Sequence, residues 1–252
     1  MIHWFDYNGQ STRDFNCYIT KKTSYDKPER DITSLSVPGR SGDLIIDNKR
    51  YKNISIEYGI KFFTDDITGR DNHDFSAQYR RISSWLTPTN NYFVLSDSYD
   101  PDYYRKACLS SSVNLTHPRK DIGTFSVKFN CKPYRYSYDG ENTYTLTSSG
   151  TIYNPEDEES LPLIKIYIGE TYQMATIIVG GTLFKVNTTG TAIIDSEMMN
   201  VYKRSGSANV NLNGAYTASG KDGFPILKSG NTTIQLVYGI DKVEIIPRWR
   251  TL

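Results

Sequence analysis

A few short stretches of this chain have residue types that could do chemistry. Gly39-Arg40-Ser41-Gly42 sets a hydroxyl between glycines, as a nucleophile elbow does. An elbow needs G-x-S-x-G on a strand-to-helix turn, so that the serine oxygen stands clear and backbone N–H groups can hold an oxyanion. Here the second glycine comes one position early, and Asp43-Leu44 follows with no helical pattern. Gly214 to Lys221 looks like a phosphate loop, whose glycines let backbone N–H groups cradle phosphate. Five residues separate its glycines in place of four, and Asp222 stands where a hydroxyl residue would hold Mg²⁺.

The titratable residues add no better candidate. His3, His73 and His117 lie far apart, and none has a second ligand at metal spacing. Cys17, Cys108 and Cys131 are odd in number and lack a C-x-x-C, so they read as small apolar fillers in a reducing cytoplasm. A glycosidase could draw two carboxylates from distant strands, but no positive signal marks such a pair. The chain therefore reads as a non-enzyme, with no catalytic, metal or cofactor residues.

Sugar binding is the serious alternative. It calls for an exposed ring to stack on, and Trp4 and Trp85 lie in the first half while Trp249 is near the end. Tyr144, Tyr153, Tyr167, Tyr172, Tyr202 and Tyr216 are the remaining platforms. With 20 Tyr in the chain, a ring packed on a sheet is the plainer reading of each. Charge gives no partner: 29 Lys+Arg against 28 Asp+Glu leave +1, unlike the concentrated cationic face of a nucleic-acid binder. No secretory signal and no apolar run of membrane length is visible.

The elements that would hold any site are strands. Ile54, Ile56, Tyr58, Ile60 and Phe62 alternate with Ser55, Glu57, Gly59 and Lys61, which puts the apolar set on one strand face. The rhythm recurs at Phe125, Val127, Phe129 and Cys131, at Ile164, Ile166 and Ile168, and at Ile234, Leu236 and Tyr238. Gly180-Gly181 has hairpin spacing. One segment departs: Phe75, Tyr79, Ile82 and Leu86 share a helical face, with Asp71 or Asn72 as cap and Pro88 as stop. Tyr134 to Gly140 reads as turn-like, and the division is placed near residue 139. Residues 155–159 read as a solvated acidic loop and 205–223 as loops and short edge strands.

Taken in order, WFDYNGQSTRDFNCYI, VPGRSGDLIIDNKRYKNISI, YFVLSDSYDPDYYRKAC, TFSVKFNCKPYRY, LPLIKIYIGE, GFPILKSGNTTIQL and EIIPRWRTL form a series. It resembles the distal tail protein (Dit) family of long, non-contractile-tailed phages of Gram-positive hosts. The resemblance implies a mainly β chain. Residues 1–139 would be a tube-related β domain with one helix and an extended hairpin, closing a homohexameric ring. Residues 140–252 would be a galectin-like β sandwich that takes baseplate or receptor-binding proteins.

The same resemblance implies a place in the virion, at the distal end of the tail, after assembly in the host cytoplasm. The ring would join the major tail tube protein to the tail-associated and tape-measure proteins, and would pass DNA only in transit, with no membrane contact. The alternative, a host cell-wall glycan-binding module at the tail tip, rests on the Tyr-rich sandwich.

Val37 to Asn53 is where the ring reading becomes residue-specific. The stretch is expected to turn at Pro38-Gly39, run as a strand through Leu44, Ile45 and Ile46, and turn again at Asp47-Asn48-Lys49 into the strand at Ile54. On that hairpin, Arg40, Asp43, Leu44, Ile46, Arg50 and Tyr51 are the expected subunit contacts.

Overall fold

The computed structural model describes residues 2–22, 27–64, 75–88, 91–111, 113–119, 122–220 and 223–252. It divides into two units, Met1–Arg135 with Leu252, and Tyr136–Thr251.

The first unit starts with β1 (Phe5–Tyr7), β2 (Gln10–Ser11), β3 (Cys17–Lys22), β4 (Arg30–Leu35), β5 (Leu44–Tyr51) and β6 (Ile54–Phe63). After helix α1 (Phe75–Leu86) come β7 (Phe93–Asp97), β8 (Tyr103–Leu109), β9 (Asn114–Arg119) and β10 (Ile122–Ser137). One sheet runs β2-β1-β7-β8-β10-β6-β3, with β9 also on β10, while β4 and β5 form a ribbon of their own. The expected alternation holds in β6: Ile54, Ile56, Tyr58, Ile60 and Phe62 are all buried, as are Phe125, Val127, Phe129 and Cys131 across from them.

Helix α1 closes this core with Ile82, Trp85 and Leu86, and Tyr79 donates to the Val113 carbonyl at 2.9 Å. Trp85 stacks on Phe15 at 4.6 Å between ring centroids and donates from Nε1 to the Tyr7 carbonyl at 2.8 Å. The helix ends before Pro88, as expected; the caps named for its start, Asp71 and Asn72, lie outside the described residues.

The second unit is a sandwich. Its strands are β11 (Tyr144–Leu146), β12 (Gly150–Asn154), β13 (Leu163–Ile168), β14 (Ala175–Val179), β15 (Thr182–Val186) and β16 (Thr191–Asp195). Then follow β17 (Asn200–Ser205), β18 (Ala208–Asn211), β19 (Tyr216–Ala218), β20 (Gly230–Tyr238) and β21 (Ile240–Ile246). One sheet runs β11-β21-β13-β16-β17-β18 and the other β12-β20-β14-β15-β19. Their inner faces share a single core, with Ile164, Ile194 and Val243 from one sheet and Ile177, Phe184 and Ile234 from the other. Gly180 and Gly181, at φ 56° and 88°, make the two-residue turn from β14 to β15.

Two readings of local structure change. Tyr134 to Gly140 is strand as far as Ser137, and only Tyr138–Glu141 forms a 3-10 turn; the alternation of β10 stops at Cys131, residues 132–135 are half-buried, and Tyr136 and Ser137 are both buried. Tyr238 leaves the buried row of β20 because a bulge intervenes. Ile177 pairs with Leu236 but Thr176 with Tyr238, so the register shifts and Tyr238 is 46% exposed.

Candidate assembly surface

The ribbon of β4 and β5 presents apolar residues to solvent. Its tip turns at Pro38-Gly39: the Arg40 N–H donates to the Val37 carbonyl at 3.2 Å, and Gly39 sits at φ 79°. Proline second and a left-handed glycine third are what a type II turn requires. Gly42, at φ 86°, completes the reversal before β5. The glycines of the apparent nucleophile elbow are therefore turn residues, and Ser41 is exposed between two strands.

The hairpin's partner strand differs from the expectation. β5 pairs antiparallel with β4, upstream, and has no pairing with β6. Asp47-Asn48-Lys49 lies within β5 as a bulge: Arg30 faces Tyr51 and Ile32 faces Asp47, so β5 carries the extra residues. Lys49 takes φ 55°, and its N–H donates to Asp47 Oδ1 at 2.8 Å. That local side-chain bond explains why the stretch has the composition of a turn.

Residues directly opposite in an antiparallel pair share a face. Leu35 opposite Leu44 and Thr33 opposite Ile46 make one face; Ser34 opposite Ile45 and Ile32 opposite Asp47 make the other. Both faces are wet: Leu35, Leu44 and Ile46 are 51%, 40% and 46% exposed, and Ile32 and Ile45 are 46% and 64% exposed. A two-stranded ribbon has no interior in which to place them.

The charged residues of the ribbon largely satisfy one another. Arg50 Nε donates to Asp31 Oδ2 at 2.5 Å, holding that carboxyl below the usual range, and Arg30 meets Asp47 at 3.2 Å. Arg40 and Asp43 stand exposed at the tip. Tyr51, at the base, meets the Tyr134 ring edge-on at 6.0 Å, with the Arg30 guanidinium 5.3 Å from its own centroid. The structure thus gathers Leu44 and Ile46 on one face, with the Arg50–Asp31 pair further along it, while Tyr51 stands opposite Arg30 on the other face and Arg40 and Asp43 are at the tip. Ile32, Leu35 and Ile45 complete the apolar surface. The first two were missed, although Ser34-Leu35-Ser36-Val37 alternates as a strand does.

The other chemical candidates resolve into structure. His3 stacks on Tyr99 at 4.0 Å and meets Ser98 Oγ at 3.1 Å; His73 lies outside the described residues. Cys17 and Cys131 are buried, which pushes both thiols up to about 12. Gly214 belongs to a 3-10 turn, and Lys221 and Asp222 lie outside the described residues. Among the described residues, no group of His, Cys, Asp and Glu is arranged to hold a metal ion, and no helix is long and apolar enough to cross a membrane.

Residues 9–131 match the phage tail protein RIFT-related domain family. The whole chain matches the whole of the SPP1 Dit (gp 19.1) crystal structure, described as a paradigm of the hub adsorption apparatus in Gram-positive-infecting phages, at TM-score 0.70 and 14% identity. A chain of the phage P2 baseplate, in its activated conformation with Ca, matches at TM-score 0.56 and 11% identity over 97% of each chain. No curated protein sequence matches. The resemblance read from the ordered sequence blocks is borne out by the family match and the shared fold.

Proposed function

We propose that this chain, whose residues 9–131 match the phage tail protein RIFT-related domain family, is a distal tail hub of a long, non-contractile-tailed phage. The observation that carries the reading is the match to the SPP1 Dit fold from end to end, both units included. The hub is a homohexameric ring made by residues 1–139. It joins the tail tube to tail-associated proteins and lets DNA through. Residues 140–252 are the outward platform for baseplate or receptor-binding proteins. Its work is structural and its place is the virion tail.

The ribbon suits such a ring. Closed rings need heterologous contacts, one patch of each subunit meeting a different patch of the next. A projecting strand pair whose own charges are matched, and whose apolar residues are exposed on both faces, is a surface for a neighbouring subunit to cover. Native mass measurement and negative-stain imaging across a concentration series test this: hexamers and rings are expected. A chain that stays monomeric at high concentration and forms no ring with a tail tube protein overturns it.

One observation favours a second reading, glycan binding. Asn231, Thr233 and Gln235 project from the exposed face of β20, and Tyr153, 62% exposed, stands directly opposite Asn231. Asn231, Thr233 and Gln235, though not Tyr153, line a groove of about 390 Å³ together with Thr182, Phe224 and Lys228. Amides, hydroxyls and a nearby ring are groups that hold sugars. A cell-wall glycan array with the full chain decides, and absence of binding removes this reading.

A further inference from the structure

Lys22 and Asp97 form a buried pair in the first unit that the hub role does not call for. Lys22 Nζ meets Asp97 Oδ2 at 2.5 Å, and the two side chains are only 6% and 8% exposed. Rings flank the cation, whose nitrogen lies 5.7 Å from the Tyr58 centroid and 5.0 Å from that of Tyr99. The residues are 75 apart in the chain, on β3 and β7, which β8, β10 and β6 separate in the sheet. They meet because the sheet closes on itself there. His3 bridges Ile19 of β3, and the Ser98 N–H, just past β7, donates to the Trp4 carbonyl at 3.0 Å.

The two carboxylate oxygens are held differently. Oδ1 accepts the Tyr99 N–H at 3.0 Å, while Oδ2 takes both the Lys22 ammonium and, at 2.5 Å, the Tyr58 hydroxyl. An N–H on Oδ1 steadies the negative charge that gathers there when a nucleophile adds to Cγ. A hydroxyl on Oδ2 can relay a proton to that oxygen. A cavity of about 20 Å³ is lined by Lys22, Tyr58 and Asp97, and a water needs about 10–15 Å³. The pair thus has a nucleophile, a polarised carboxyl, a proton path to one oxygen and space for a departing water.

Burial favours a reaction between them. A charged pair out of water is costly, and turning it into an amide removes both charges. Burial also lowers the Lys22 pKa against the pull of Asp97, which favours the free amine that must attack. Reactants held in fixed positions reach effective concentrations of about 10⁵–10⁸ M, which offsets the poor equilibrium of amide formation in water.

We propose that Lys22 and Asp97 condense into an intramolecular isopeptide bond. The Nζ–Cγ bond forms and the Cγ–Oδ2 bond breaks. Of the three ammonium protons, one stays on the amide nitrogen and two leave with Oδ2 as water, one of them relayed through Tyr58. The balance needs no oxidant, metal or energy source. The product ties β3 to β7 and locks the sheet of the first unit closed.

Mass spectrometry of the full chain tests this. The unaltered protein is expected to be lighter by one water than the mass of its sequence, and Lys22→Arg to keep its full mass. A tryptic digest should join the segment around Lys22 to the one holding Asp97, with no cleavage after Lys22. Since Lys22→Arg could fail to fold, the digest of the unaltered protein decides alone. An unaltered protein that keeps its full mass after prolonged incubation overturns the proposal. So does a lost water found at an Asp-Gly step such as Asp139-Gly140, with cleavage after Lys22 intact.

Discussion

Asp195 grips Arg248 through both carboxylate oxygens, at 2.7 and 3.2 Å, although Arg248 stands in the left-handed region at φ 57°. The same carboxylate accepts from the Met198 N–H at 3.1 Å and so anchors the turn from β16 to β17, where Met199 is also left-handed at φ 47°. The Arg248 N–H meanwhile donates to the Gly140 carbonyl at 2.7 Å. Two strained residues of the second unit thus depend on one carboxylate.

Asp195→Ala leaves the largely buried Arg248 with Glu197 alone, 3.6 Å away, and a loss of about 3 kcal/mol is expected in urea unfolding. Asp195→Ala with Arg248→Met should cost less than the single change, because the half-paired cation is removed with its partner.

The pH dependence follows from the same pair. Burial works to raise the Asp195 pKa, but hydrogen bonds from Arg248 and the turn outweigh it, and the net shift is downward. A depressed carboxyl stabilises the fold fully above its unfolded value, about 3.9, and the contribution drains as pH falls through the folded value. The stability difference between the unaltered protein and Asp195→Asn should therefore be constant near neutrality and shrink below about pH 4. Urea titrations at several pH values check this.

Gly140 is a steric requirement. A Cβ there would stand 2.2 Å from the Trp249 backbone nitrogen, and backbone cannot swing aside as a side chain can. Gly140→Ala should cost about 3 kcal/mol by overpacking. Gly214→Ala, with open space around it, should stay within about 0.5 kcal/mol.

For the ribbon, Leu44→Asp with Ile46→Asp should leave the melting temperature nearly unchanged, since both residues are exposed in the single chain. Hexamers should be lost in native mass spectrometry. Ile45→Asp, on the opposite face, should weaken assembly by itself if neighbours cover both faces. Hexamers that survive all three substitutions would make the ribbon a bystander.

Thiol labelling separates the cysteines. At about pH 8, buried thiols with pKa values near 12 remain protonated and unreactive. Cys108, half-buried, should label alone in the native protein, and all three after unfolding.

The strands of both cores were legible because burial on one face imposes a period of two, as in Ile54 to Phe62. The helix was legible from Ile82 and Leu86; Trp85, three residues beyond Ile82, carried the same signal and was overlooked. The ribbon's pairing was not legible. Asp47-Asn48-Lys49 has turn chemistry, and nothing local distinguishes a turn from a bulge that uses the same side-chain bond. The buried Lys22–Asp97 pair was invisible for another reason: its members come from β3 and β7, which are not neighbours in the sheet, and only the folding of the sheet on itself brings them together.

The ribbon separates two stabilities that usually coincide. Its five apolar side chains, Ile32, Leu35, Leu44, Ile45 and Ile46, are only partly covered by the chain's own folding, because neither face has a core to enter. Their burial is deferred until another surface arrives. A chain can then be fully folded and still sticky, with free ribbons competing for each other as well as for their proper sites. Under the ring reading, the yield of correct particles is governed by how fast true neighbours meet, and raising the stability of either unit would not improve it.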